Sequence, residues 1–225
     1  MNLRQKYNIP NNTVITVAGT VGVGKSTITT ALAKALDFRT SFEKVDTNPY
    51  LEKLYKDFSR WSFHLQIYFL AERFKEQKRI FEYGGGFIQD RSIYEDTGIF
   101  AKMHYDKGNM SKTDYEAYTS LFDAMVMTPY FPHPDLLIYL EGSLDDILDR
   151  IKLRGRPMEQ ETPISYWEEM YTRYDSWINQ FNSCPVLRLN IKDYDLINNE
   201  ESVEPIVQRI SHFLEQTQHL RKVSR

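Results

Sequence analysis

The sequence predicts an α/β fold: a parallel sheet with helices on both faces, built around a phosphate-binding loop. Two observations predict it. Five short apolar, strand-like runs alternate with helical patterns along the chain. The first run leads straight into Gly19-Thr20-Val21-Gly22-Val23-Gly24-Lys25-Ser26, a match to G-x-x-x-x-G-K-[ST], and a helical pattern follows it.

The first run, Val14–Ala18, is apolar and β-branched, as a buried strand requires. In the loop that follows, the glycines let backbone N–H groups turn inward around phosphate oxygens. Lys25 reaches the outer phosphates, and the Ser26 hydroxyl is placed for Mg²⁺. The helix runs from Thr27 to Leu36 with Ile28, Leu32 and Leu36 on one stripe. The loop therefore sits at a helix N-terminus, where the dipole and free N–H groups favour anions. These features predict a site for a nucleoside triphosphate bound with Mg²⁺.

The second run is Arg39–Glu43. A long helix is expected from about Trp61 to Tyr83, with Phe63, Ile67, Leu70 and Phe74 as its apolar stripe and Gly84-Gly85-Gly86 as its stop. Gln66, Phe69 and Arg73 share another face of it. From periodicity alone this polar face reads as solvated, although an amide and a guanidinium also suit a flat polar ligand. The third run is Gly86–Asp90 and the fourth is Asp135–Glu141. Ser143, with Asp146 three residues on, resembles a capping box and opens a helix that carries Arg150 and Arg154, followed by Gly155 and Arg156. Cations are expected at a helix C-terminus in any case, but beside a phosphate loop these three arginines suit a transferring phosphoryl group. The fifth run is Val186–Leu189. No repeat, low-complexity stretch or long linker interrupts the pattern, so residues 1–225 read as one domain.

Composition narrows the function. The chain is 41% hydrophobic with a formal net charge of -3, so a basic face for tracking nucleic acid is not indicated. Cys184 is the single cysteine, which excludes an internal disulfide and a cysteine-based metal site. His64, His104, His133, His212 and His219 show no metal-ligand spacing and read as ordinary surface or core residues. There is no apolar leader and no run of 18 apolar residues, so a cytoplasmic protein without membrane contact is expected.

Ligands of open parallel sheets bind at the carboxyl ends of the strands. Here the first strand ends in the phosphate loop, the second in Glu43, and the third in Asp90-Arg91-Ser92. Lys25, Arg150, Arg154 and Arg156 can neutralise phosphate charge, Ser26 and Asp90 can serve the metal, and Glu43 can orient and deprotonate an acceptor hydroxyl. From its position alone Glu43 reads equally well as an exposed strand-end acid.

These motifs together resemble the deoxynucleoside kinase family, from about Val14 to Leu189. The resemblance rests on Gly19–Ser26; on Phe42-Glu-Lys-Val-Asp-Thr-Asn-Pro-Tyr-Leu51; on Trp61-Ser-Phe-His-Leu-Gln66 with Arg73 and Asp90-Arg-Ser-Ile-Tyr-Glu-Asp96; and on Arg150 to Gln160. It implies a P-loop three-layer fold with a five-stranded parallel sheet and a short arginine-bearing lid. It also implies transfer of phosphate from ATP to the 5′-hydroxyl of a deoxynucleoside in nucleotide salvage. By the same resemblance Glu43 is the general base, Arg91 holds the 5′ region and the phosphate, and Tyr55 and Glu159 bind the sugar 3′-hydroxyl. Gln66, Arg73 and Asp96 read the base edge, which overturns the solvated reading of that helix face, and Phe100 stacks on the base. The phosphate loop from Gly19 to Thr27 holds ATP, and Arg154 and Arg156 close over it.

Two departures from the family pattern stand out: Asp90 stands where many animal members have glutamate, and a shorter acid can still serve Mg²⁺ through water; Lys44 stands where they often have proline, which favours the bacterial branch. The Arg–Asp pair suits deoxyadenosine, deoxyguanosine or deoxycytidine, with deoxyadenosine first from the Phe42–Leu51 match. Homodimers through helices are usual in the family, and Tyr115–Met127 is a candidate contact that reads equally well as core. Two rival readings remain. A nucleoside monophosphate kinase would need cations where this pocket offers Glu43, Asp96 and Glu159. A non-catalytic nucleotide switch would usually carry N-K-x-D or L-S-G-G-Q, and neither occurs.

Overall fold

The computed structural model describes residues 2–43, 47–194 and 202–223, with side chains through residue 216. The chain begins with α1 (Leu3–Lys6), β1 (Val14–Ala18), α2 (Lys25–Leu36), β2 (Arg39–Ser41), α3 (Leu51–Lys56), α4 (Phe58–Tyr83) and β3 (Phe87–Asp90). It continues through α5 (Ile93–Glu95), a π-helix (Asp96–Ala101), α6 (Lys102–Asp106), α7 (Lys112–Val126) and β4 (Leu136–Glu141). Then follow α8 (Leu144–Arg154), α9 (Pro157–Gln160), α10 (Ile164–Gln180), β5 (Val186–Asn190) and α11 (Val203–Val223). The five strands form one sheet in the order β2-β3-β1-β4-β5, and every pairing is parallel.

β1 lies at the centre and is buried along its whole length, which is why it reads as an unbroken apolar run. On one face of the sheet Ile15, Val17, Ile138 and Leu140 pack against Ile28, Leu32 and Leu36 of α2 and Ile206 and Ile210 of α11. On the other face Ala18, Leu137 and Tyr139 pack against Ile147 and Ile151 of α8 and Trp167, Met170 and Tyr174 of α10. The predicted stripe of α4 is present: Leu70 is fully buried, and Phe63, Ile67 and Phe74 pack around it with Tyr118 of α7.

Several predicted boundaries shift for identifiable reasons. β2 stops at Ser41 and does not reach Glu43, because this edge strand pairs with β3 only from Arg39 to Ser41. α2 opens at Lys25, two residues early, because Gly24 supplies a left-handed N-cap (φ 102°). α4 opens at Phe58, since the Asp57 side chain accepts from Arg60 N–H at 3.0 Å and caps it. Gly84 ends α4 in the left-handed region, and Ser143 and Asp146 form the reciprocal cap of α8, both as the sequence indicates. Within Tyr115–Met127, Tyr118 is core, Tyr115, Phe122, Met125 and Val126 are half-buried, and Met127 is exposed. Lys44 and the centre of the Phe42–Leu51 segment lie outside the described residues, as does the side chain of His219. Among the described residues no helix is long and apolar enough to cross a membrane.

Candidate active site

The ends of β1, β2 and β3 surround a cavity of about 420 Å³. On one side is the phosphate loop: Val21, Gly22, Gly24, Lys25, Ser26 and Thr27 line it. Gly19, Thr20 and Val23 stand behind this wall. Val23 is fully buried, and Gly19 N–H donates to Glu95 Oε1 at 3.2 Å. Lys25 Nζ donates to the carbonyls of Gly19 (2.8 Å) and Thr20 (3.0 Å), folding its ammonium into the loop. Burial, and then the nearby Arg91, lower the Lys25 pKa to about 8.

Ser26 Oγ donates to Asp90 Oδ2 at 2.5 Å, so α2 and the end of β3 meet at this pair. The other oxygen, Asp90 Oδ1, is buried with no hydrogen-bond partner among the described residues. A hydroxyl beside a carboxylate with an unused oxygen is a donor set of the kind Mg²⁺ takes at the edge of a phosphate site. Arg150 reaches back to the loop, its Nη1 donating to Val23 O at 3.1 Å. Beyond Arg150 lies a smaller cavity of about 90 Å³, lined by Gly24, Thr27, Asn190 and Tyr194 among others, so the two cavities share the rim of the loop.

The rest of the cavity wall carries Glu43, Tyr55, Gln66, Arg91, Asp96, Phe100 and Glu159. The solvated reading of the α4 polar face is wrong: Gln66 is 1% and Arg73 3% exposed. Arg73 crosses from α4 to the end of β3 and spends its guanidinium on three acceptors, each at 3.0 Å: Asp96 Oδ2, the Asp90 carbonyl and Glu43 Oε1. The exposed-acid alternative for Glu43 fails too, since its side chain is 17% exposed and Arg91 Nε donates to its second oxygen at 3.2 Å. Burial alone would raise the Glu43 pKa, but Arg91, Arg73 and Lys25 outweigh it and hold the carboxyl below its usual range. For Asp96 burial is the largest influence and wins over Arg73, lifting its pKa to about 6.

Arg91 is a non-glycine residue at φ 72°, a strained conformation that its surroundings must hold in place. Its backbone N–H donates to Val17 O at 2.9 Å, and its guanidinium lies 4.8 Å from the Phe100 ring. Tyr55 packs edge-on against Phe58 and Tyr166. Glu159 is buried, and Arg154 donates to its Oε2 from Nε (3.0 Å) and Nη2 (2.6 Å), with Arg156 3.6 Å from Oε1. The sequence reading separates these residues, with the arginines on phosphate and Glu159 on sugar. The structure pairs them because Gly155 (φ 70°) ends α8 and turns α9 back onto it.

Three features escaped the sequence reading. The π-helix brings Asp96 and Phe100 to the cavity. π-helical turns are frequent at functional sites, but no periodicity announces this one. His104 also lines the cavity, 1% exposed, and burial lowers its pKa to about 4, so its ring is neutral. Glu95 is completely buried among Gly19, Ser92, Arg91 and Tyr174. The one local signal that could have placed it is the Ser92–Glu95 spacing of a capping box.

Comparison with known proteins matches residues 15–215 to a family model described as deoxynucleoside kinase. A deoxyadenosine/deoxycytidine kinase of Bacillus subtilis (strain 168) is 71% identical over 214 residues, covering 95% of this chain and 99% of that protein. A deoxyadenosine kinase of Lactobacillus acidophilus is 35% identical over 214 residues, covering 92% of this chain and 99% of its own length. Among solved structures, deoxyadenosine kinase from M. mycoides with bound dATP superposes with a TM-score of 0.75 at 33% identity, over 88% of this chain and 98% of that one.

Proposed function

The chain belongs to the deoxynucleoside kinase family, and on that premise we propose how its residues divide the work. The enzyme uses ATP to phosphorylate the 5′-hydroxyl of a deoxynucleoside. One observation carries the assignment of roles: a cavity lined by Lys25 and Ser26 of the phosphate loop is lined also by Glu43, Gln66 and Asp96. Donor and acceptor can therefore lie end to end within it. The donor's own base fits the smaller cavity across Arg150, with its phosphates running along the shared rim.

In this reading Glu43 takes the proton of the 5′-hydroxyl while that oxygen attacks the γ-phosphorus. The bond from the γ-phosphorus to the bridging oxygen breaks, and ADP leaves. Arg91 and Arg73 keep Glu43 ionised. A loose phosphoryl-transfer transition state asks for orientation and charge stabilisation more than for a strong base. Lys25 and Arg91 meet the phosphoryl oxygens, and Arg150, Arg154 and Arg156 close over the phosphates. Ser26 and Asp90 would hold the Mg²⁺ that accompanies ATP, and the bound ion neutralises charge on the phosphates. Tyr55 and Glu159 hold the sugar, and Phe100 faces the base.

Base choice follows from what the pocket has left to offer. Arg73 is spent on protein acceptors, whereas Gln66 Oε1 is buried with no hydrogen-bond partner among the described residues. An amide oxygen in the same cavity wall as Asp96 suits an exocyclic amino group, which adenine, cytosine and guanine carry and thymine lacks. We take deoxyadenosine as the first substrate. Deoxycytidine is the second reading, favoured by the name of the 71%-identical relative. The test is an ADP-coupled assay with ATP and Mg²⁺ against the four deoxynucleosides and dAMP. Turnover of deoxyadenosine and deoxycytidine, with thymidine poor, is expected; turnover of dAMP alone would overturn the reading.

The same proposal has residues 1–225 acting as one domain, in the cytoplasm, on free nucleosides and not on nucleic acid. It also has two copies pairing through α4 and α7, where Phe63, Ile67, Phe122 and Met125 stay half-buried. Sedimentation equilibrium of the chain, with Met125→Glu as the disrupting variant, tests the dimer.

A further inference from the structure

The capping box at the start of α5 accounts for only one oxygen of Glu95. Oε2 accepts from Ser92 N–H at 2.7 Å and from Ser92 Oγ at 3.1 Å. The other oxygen, Oε1, turns away from the helix and accepts from Gly19 N–H at 3.2 Å and from the Tyr174 hydroxyl at 2.9 Å. It also lies 3.6 Å from Arg91 Nη1. Arg91 Nη1 in turn donates to the Tyr174 hydroxyl, so Tyr174 passes the contact between the two charged groups. Gly19 is the first residue of the phosphate loop, and Arg91 is the cation that also holds Glu43. Glu95 and Tyr174 are 0% and 1% exposed. A helix cap alone requires none of this burial and none of these partners.

We infer that Glu95 is a positioning residue: its Oε1, with the Tyr174 hydroxyl, locks the first amide of the donor loop to the arginine of the acceptor site. The inference rests on the role proposed above for Arg91. Arg91 is held in front by Glu43 and behind by Glu95 and Tyr174, and its left-handed backbone gives it no intrinsic preference for this pose. The distance between phosphate donor and acceptor is then set by one buried carboxylate, and misplacements of about 1 Å at such a distance can cost roughly 10²-fold in rate.

The experiment compares Glu95→Gln, Tyr174→Phe and the double variant by kcat, by KM for deoxyadenosine and for ATP, and by melting temperature. Glutamine keeps the shape but brings an amide donor to face the Gly19 and Tyr174 donors and the Arg91 cation. Glu95→Gln is expected to lower kcat by roughly 10–10²-fold with both KM values within about threefold, the signature of an interaction felt in the transition state. Tyr174→Phe is expected to lower kcat by a smaller factor, and the double variant to be no slower than Glu95→Gln, because both act through one contact. Wild-type kcat in Glu95→Gln, or single effects that multiply in the double variant, overturns the inference. So does a kcat deficit that vanishes well below the melting temperature of the variant, which would make Glu95 a stabilising residue only. If Glu95→Gln does not fold, Tyr174→Phe decides alone, and an unaltered kcat refutes the lock. Failure of the wild-type enzyme to turn over any deoxynucleoside would instead strike the functional reading on which the inference stands.

Discussion

Arg91 Nε lies 3.2 Å from Glu43 Oε2, so the proposed proton acceptor is held by the proposed phosphate-binding cation. The carboxylate is thereby oriented as well as ionised. Replacing Glu43 with Gln removes the base and keeps the volume. The expected outcome is a kcat lower by roughly 10²–10⁴-fold, the usual worth of a positioned base, with ATP affinity unchanged. Steady-state kinetics and a direct ATP titration check it; an unaltered kcat would move the role of base to another residue.

Asp96 gives the acceptor side a pH dependence. Burial lifts its pKa to about 6, so it is ionised above that value and neutral below it. A neutral Asp96 no longer pairs fully with Arg73 and changes from acceptor to donor toward a base bound as proposed. kcat/KM for the deoxynucleoside, which reports the free enzyme, is expected to fall as pH drops below about 6. In Asp96→Asn that acid limb should be missing from a profile recorded from about pH 5 to 8, at a lower plateau. A limb that persists in the variant would assign it to another group.

Lys25 gives the donor side the opposite limb. Its pKa is lowered to about 8 by burial, so the ammonium is charged below that pH and is lost above it. kcat/KM for ATP is expected to decline above about pH 8, while kcat at saturating ATP declines at higher pH, because bound phosphate stabilises the charged form. Parallel declines of both parameters would argue against Lys25 as the titrating group.

The donor half of the site was more legible in the sequence than the acceptor half, and the reason is physical. A phosphate loop is contiguous, and its glycines, Lys25 and Ser26 work by local geometry that a spacing records. The five strands were legible because burial on both faces writes itself as apolar runs. The acceptor pocket is instead a set of polar groups buried against one another. Periodicity counts Gln66 and Arg73 as a solvent face, because nothing local shows that Asp96, Glu43 and the Asp90 carbonyl stand opposite. Resemblance to a family supplied those residues, and neither route revealed Glu95, whose partners lie 76 and 79 positions away at Gly19 and Tyr174.

Glu159 ties the proposed lid to the proposed sugar pocket. It is buried, and Arg154 makes two charge-assisted contacts to it. Glu159→Ala removes the proposed 3′-hydroxyl partner and leaves Arg154 without its carboxylate. KM for the deoxynucleoside is expected to rise by roughly 10–10²-fold, in line with losing a hydrogen bond to a charged group, while ATP affinity is retained. Isothermal titration of each ligand separately distinguishes the sides, and a loss confined to ATP would put Glu159 with the donor.

The turn between α4 and β3 predicts unequal effects from two adjacent, chemically identical substitutions. Gly84 and Gly85 both adopt positive φ (75° and 93°), so an added Cβ is strained at either. At Gly84 nothing lies within 4 Å of the added atom. Gly84→Ala is therefore expected to cost only the left-handed penalty, about 1–2 kcal/mol. At Gly85 the added atom would sit 2.0 Å from the carbonyl oxygen of Asn12, which is backbone just ahead of β1 and has no rotamer by which to retreat. Gly85→Ala must push the turn away from that strand, at the junction where the Gly86 and Phe87 N–H groups both donate to Thr13 O. Its cost is expected to exceed that of Gly84→Ala by about 1–3 kcal/mol. Urea unfolding of the two variants, read as the shift in midpoint at constant slope, measures the difference directly. Equal losses would mean that the Asn11–Asn12 backbone yields freely and that this turn does not anchor the end of β3.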